Sequence, residues 1–127
     1  MKRHLLLTSV VAALVSQSGS ALAQSVCHGT PYNGSVENAV QFPPGGPNFT
    51  RFWMGPLSSS RVYAHSTVVD VVLDGYKAMA EKYLAVKFTY GETGLLGGGQ
   101  MKPHVTHWNG RSVDLFVPVI NAQGGST

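Results

Sequence analysis

The chain has a single cysteine, Cys27, among its 127 residues. No disulfide can therefore close within it, and the thiol bridges to another chain, stands free, or packs as a small apolar group. Charged residues make up only 12%, and Lys and Arg nowhere form a run. Nucleic-acid binding needs a basic stripe that displaces counterions, and that footprint is missing. Long apolar stretches are missing too: Leu5 to Val15 is apolar apart from Thr8 and Ser9, well short of the ~20 residues that a membrane-spanning helix needs. No histidine follows His107.

What the sequence does have begins with a targeting pattern. Lys2 and Arg3 precede the apolar run, and Ala21-Leu22-Ala23 closes it with the small-x-small rule of a cleavage site. Residues 1–23 are predicted to be a signal peptide removed before Gln24, leaving 24–127 as one domain with no membrane association after cleavage. Lys2 and Arg3 leave with the signal. Seven basic residues then face six acidic ones, and the sequence pI of about 9.2 overstates the basic character.

Residues 25–60 are rich in Gly, Pro, Asn and Ser, and Pro43-Pro44-Gly45-Gly46-Pro47 is incompatible with a helix or a central strand. They read as an irregular arm anchored by Phe49, Phe52 and Trp53. Residues 66–84 place Val69, Val72, Tyr76, Met79 or Ala80, and Tyr83 at steps of three and four, with Asp70, Asp74, Lys77 and Glu81 opposite. That spacing predicts an amphipathic helix, capped by Ser66 or Thr67. Val86–Tyr90 and Val113–Ile120 alternate as strands, with Pro118 placing the second at an edge. Gly91-Glu92-Thr93-Gly94 reads as a turn and Gly97-Gly98-Gly99 as a flexible loop. The expected class is α+β, a small antiparallel sheet with one main amphipathic helix.

The chemistry concentrates in Pro103-His104-Val105-Thr106-His107-Trp108-Asn109-Gly110-Arg111-Ser112-Val113-Asp114. Asp114 lies in a strand whose two faces are both largely apolar, so burial is expected, and a buried carboxylate needs a partner. Asn109-Gly110 is a turn signal that can fold His107 back toward Asp114. Imidazole and carboxylate both suit zinc, and His104 is close enough in sequence to join them. By spacing alone the pattern is weak, and Arg111 offers a direct ionic partner for Asp114 instead. Glu92 can act as a base, but reads first as a turn carboxylate. His65 reads as a cap-region residue and His28 as an exposed one.

The block from His104 and His107 through Gly110 to Val113-Asp114 resembles the first metal motif of the penicillin-insensitive murein endopeptidases, zinc peptidases related to lysostaphin-like and D-Ala-D-Ala enzymes. Cys27-His28-Gly29-Thr30-Pro31, Asn33-Gly34, Asn48-Phe49, Arg61 to Ser66 and Tyr90 to Gly94 are similar to further segments of that family. The resemblance implies zinc held by His104, His107 and Asp114. It also implies a periplasmic location and peptidoglycan as partner, cut at the D-alanyl–meso-diaminopimelyl cross-link. Trp108 and Arg111 depart from the amide and aliphatic residues of that motif, which bears on substrate contacts rather than on the ligands. The His-x-His pair that such enzymes carry downstream is missing, so the metallopeptidase domain is expected to be incomplete and inactive alone. A non-catalytic exported module that binds peptidoglycan or metal is the competing expectation.

Overall fold

The computed structural model describes residues 23–119 and 121–124. The signal-peptide assignment therefore lies outside the described residues apart from Ala23, as does the end of the second predicted strand at Ile120. Among the described residues no helix is long and apolar enough to cross a membrane.

The stretch expected to be an irregular arm is structured. Strands β1 (Val26–Thr30) and β2 (Asn33–Glu37) form an antiparallel hairpin around Pro31-Tyr32, with Cys27 opposite Val36 and Thr30 opposite Asn33. Strand β3 (Val40–Gln41) pairs antiparallel with β5 (Tyr63–Ala64), and β4 (Phe49–Arg51) joins the main sheet. A single 3-10 turn, Gly55–Ser59, separates β4 from β5. The Gly and Pro residues that suggested irregularity sit mostly between these strands, which are too short for alternation to show.

The helix α1 runs Ser66–Lys82, and Val69 and Tyr76 are its buried residues. His65 caps it, its Nδ1 accepting from the Thr67 amide at 3.1 Å. The cap thus falls one residue before the Ser66 or Thr67 expected. Tyr83 lies outside the buried stripe and is exposed.

The main sheet has the order β4-β6-β7, where β6 is Phe88–Tyr90 and β7 is Leu115–Phe116. β4 pairs parallel with β6, and β7 antiparallel to it, Tyr90 opposite Leu115. The architecture is a small mixed α+β domain with one main helix and several short sheets, not one antiparallel sheet. The core joins Phe42, Val62, Ala64, Val69 and Tyr90, with Phe49 stacked on Tyr76 and Tyr76 on Phe88. The Tyr90 hydroxyl donates to the Pro43 carbonyl at 2.6 Å. Burial pushes this hydroxyl up to about 12, partly opposed by Arg51 and reinforced by Tyr76. Burial also raises Tyr76 above its ordinary value.

The strand expected to be buried on both faces is instead the two-residue edge strand β7, and both of its residues are exposed. Among the described residues it pairs on one side only. With Phe88 and the helix residues Val71, Val72, Gly75, Tyr76 and Met79 it walls an apolar groove. The loop after Gly94 is packed rather than free. A Cβ at Gly98 (φ +74°) would meet the Trp108 carbonyl at 2.1 Å, so only glycine allows the loop to close against that backbone.

Candidate metal centre

Two features of the chain bring residues 104–114 back on themselves. Gly110 has φ +74° and accepts a hydrogen bond through its carbonyl from the His65 amide at 2.9 Å, which ties the turn to the start of α1. His107 also has a left-handed backbone, φ +75°. For a residue with a Cβ that conformation costs on the order of 1 kcal/mol or more and persists only when its surroundings enforce it. Here the Trp108 amide donates to the Pro31 carbonyl and the Trp108 carbonyl accepts from the Gly99 amide, both at 2.9 Å, and these pin the backbone immediately after His107.

The result is a cluster of His104, His107 and Asp114 whose ligand atoms all lie within 4.8 Å of one another. His107 Nε2 is 3.3 Å from Asp114 Oδ1, and His104 Nδ1 is 3.9 Å from Asp114 Oδ2. Ligands at ~2.0–2.1 Å from a tetrahedral ion stand roughly 3.3 Å apart, so the His107–Asp114 spacing already suits one cation, and the wider pairs must draw in around it. The two imidazoles face each other with centroids 4.7 Å apart.

The hydrogen bonds on the far sides of the rings decide what faces the centre. His107 Nδ1 lies 3.0 Å from the Thr93 carbonyl, which only accepts, so Nδ1 donates there and Nε2 is the nitrogen turned to Asp114. His104 Nε2 contacts the Glu92 carboxylate, again an acceptor, so Nδ1 is the nitrogen turned to Asp114. With the rings neutral, two lone pairs and a carboxylate converge, which is a donor set for a cation; with a ring protonated, it pairs with Asp114 as an ion. The donor set and its outer hydrogen bonds are those that metal-binding imidazoles use.

The site is not as expected in every respect. Asp114 is half-exposed, its side chain retaining 42% of its accessible surface, because β7 lies at an edge rather than in the core. The argument from a buried carboxylate accordingly falls away. The ionic partner offered by Arg111 also falls away. The ion pairs of Asp114 among the described residues are with His104 and His107, while Arg111 lies in a separate depression with His65, Thr67 and Val68. His107 is buried and His104 half-buried.

Arg61, and the part Glu92 plays beside the two histidines, are what the sequence did not bring forward. Glu92 is no exposed turn carboxylate: it is buried, and Arg61 holds it through both Nε and Nη2, the latter at 3.1 Å from Oε2. Arg61 Nη2 also donates to the Lys102 carbonyl at 2.6 Å, just before Pro103-His104. The signal that could have found Glu92 is its isolation: it is the sole acid between Glu81 and Asp114, set among Gly, Thr and Tyr. His28 reaches only Glu37 at the surface, and Cys27 is a free thiol in β1.

A scan against family profiles finds no match to this chain, and a search of curated proteins finds no relative. The reading of the site accordingly rests on its own residues.

Proposed function

We propose that this chain is a zinc-dependent, exported endopeptidase domain acting in the periplasm on peptide cross-links of peptidoglycan, with the D-alanyl–meso-diaminopimelyl bond as its target. The observation that carries the reading is the convergence of His104 Nδ1, His107 Nε2 and the Asp114 carboxylate. Three protein ligands leave a fourth position of a tetrahedral ion open, which is the arrangement of a catalytic rather than a closed structural site. The bound ion supplies Lewis-acid polarisation of a carbonyl and activation of water near neutral pH. The chain's residues do the rest of the work: His107 is anchored by Thr93, His104 by Glu92, and Asp114 lies open enough for a peptide to approach. The sequence resemblance to murein endopeptidases names the substrate.

Zinc titration of the chain by calorimetry, run beside His107→Ala, tests the metal half of this reading. Zinc affinity is expected at pH 7.5 and is expected to weaken in mildly acidic solution, since ligating imidazoles must be free of their second proton. Digestion of purified murein, followed by separation of the released muropeptides, tests the substrate half. With no His-x-His pair after His107, the chain alone is expected to leave the cross-links intact; loss of cross-linked dimers that a chelator prevents would show that it is competent by itself. No zinc affinity would remove the peptidase assignment.

One observation favours a second reading, that of a non-catalytic module that binds peptidoglycan or metal. The only further carboxylate at the centre, Glu92, is already engaged by Arg61 and His104 and is not free to take a proton from water. Retention of the chain on murein with the cross-links unbroken, with or without chelator, is the outcome that selects this reading.

A further inference from the structure

All three ligands take their orientation from one short segment that supplies no ligand itself. Within Gly91–Gly94, the Glu92 carboxylate accepts from His104 Nε2 and the Thr93 carbonyl accepts from His107 Nδ1. The Asp114 amide donates to the Glu92 carbonyl at 3.0 Å, and the Gly91 amide donates to the Asp114 carbonyl at 2.7 Å. We propose that Glu92 is the positioning residue of the metal centre: locked by Arg61, its carboxylate holds the His104 ring so that Nδ1 faces the cation. The proposal rests on the metal-binding reading above and adds to it a residue outside the ligand set.

Three observations carry it. First, His104 is the least enclosed of the two histidines, with 26% of its side chain exposed, and it has no backbone partner for its ring comparable to Thr93 for His107. Without Glu92 the ring is free to turn about χ1 and χ2 and take Nδ1 away from Asp114. Second, Glu92 itself cannot wander. It is buried, and Arg61 pairs with both of its carboxylate oxygens, Oε2 being shared with His104, while also donating to the Lys102 carbonyl. The same guanidinium thus fixes both the carboxylate and the backbone that delivers His104. Third, the segment that carries Glu92 is itself held by paired backbone. The amides of Thr93 and Gly94 donate to the Arg61 carbonyl at 3.0 and 3.3 Å, and the Thr93 hydroxyl donates to the Tyr63 carbonyl at 3.0 Å. A carboxylate that is charge-paired, buried and mounted on paired backbone orients a ring far better than an exposed one.

The test uses the full chain with Zn2+, with Co2+ as a spectroscopic probe of coordination. Glu92→Gln keeps an acceptor but loses the charge, and Glu92→Ala loses both. Zinc affinity is expected to fall about 10- to 100-fold, further in Glu92→Ala than in Glu92→Gln, with a changed visible Co2+ spectrum. A residue that merely stabilised the fold would lower the melting temperature and leave that spectrum alone. Folded variants with wild-type zinc affinity and the wild-type Co2+ spectrum would overturn the proposal. Should both variants fail to fold, nitrogen-resolved NMR of the metal-free wild-type chain decides. The expected result is a His104 ring proton on Nε2, protected from solvent exchange; a freely exchanging or absent Nε2 proton overturns it. Because that measurement needs no metal, it separates failure of this proposal from failure of zinc binding itself.

Discussion

Residues 101–114 carry all three side chains of the candidate metal cluster, yet they contain no helix or strand, and Val105 is among the exposed hydrophobics. Residues 91–94 carry none of the three and are buried without exception. One segment displays the chemistry and the other supplies the rigidity. A half-exposed loop can present three donors only if something stiffer dictates where they point, and here the stiffer element is a four-residue stretch continuing β6. Precision at such a centre therefore depends on residues that never touch the ion.

The sharpest way to break this contrast is on the displaying side. His107→Ala removes one of the three cluster residues, and zinc affinity is expected to fall roughly a hundred- to a thousandfold. Structural sites of four ligands bind with about 10–16 kcal/mol, or roughly 2.5–4 kcal/mol per ligand. Competition against a chromophoric chelator measures it, and an unchanged affinity would mean that the ion sits elsewhere.

On the supporting side, alkali is the probe. Tyr90 directly precedes Gly91, and burial raises its hydroxyl from the ordinary 10.0 to about 12. The folded state thus keeps a proton that the unfolded chain gives up. Stability is full below pH 10 and is lost as pH rises from about 10 to 12, by up to roughly 3 kcal/mol. Tyr76 shifts in the same direction and adds to the loss. Urea midpoints recorded across that range should fall, and Tyr90→Phe should flatten the fall. It should also lower stability near neutral pH by about 1–2 kcal/mol, through the unpaired Pro43 carbonyl.

Smaller in effect is Gly94→Ala. An added Cβ would meet the Tyr63 and His107 carbonyls at 2.9 and 3.0 Å, both backbone atoms with little room to yield. A cost of about 2 kcal/mol is expected in thermal unfolding, with weaker zinc binding alongside. Least of all is Val117→Thr, just beyond β7. Val117 is 84% exposed, and stability should hold within about 0.5 kcal/mol. A larger change would show that this edge is covered in solution.

The same contrast explains what could be read from the residues alone. His104, His107 and Asp114 were legible because they lie close in sequence and the turn that gathers them has its own signal in Asn109-Gly110. The helix was legible because seventeen residues give its periodicity room to show. Two- to five-residue strands give little, so the hairpin and β4 were hidden in a Gly- and Pro-rich stretch, whereas β6 falls within the expected strand Val86–Tyr90. Burial of β7 was misjudged because an apolar strand looks the same at an edge as in a core. Arg61 and Glu92 meet across 31 positions, and no local pattern encodes a contact at that separation.

The closeness of the ligands in sequence also bears on the order of events as the chain matures. His104 and Asp114 are ten positions apart, a loop whose closure is entropically cheap and completed within tens of nanoseconds or so. Loose capture of an ion by that loop can therefore precede assembly of the domain, whereas tight capture must wait until distant Arg61 and Glu92 have docked. Zinc should then speed refolding only modestly while slowing unfolding markedly, since the grip that matters forms late.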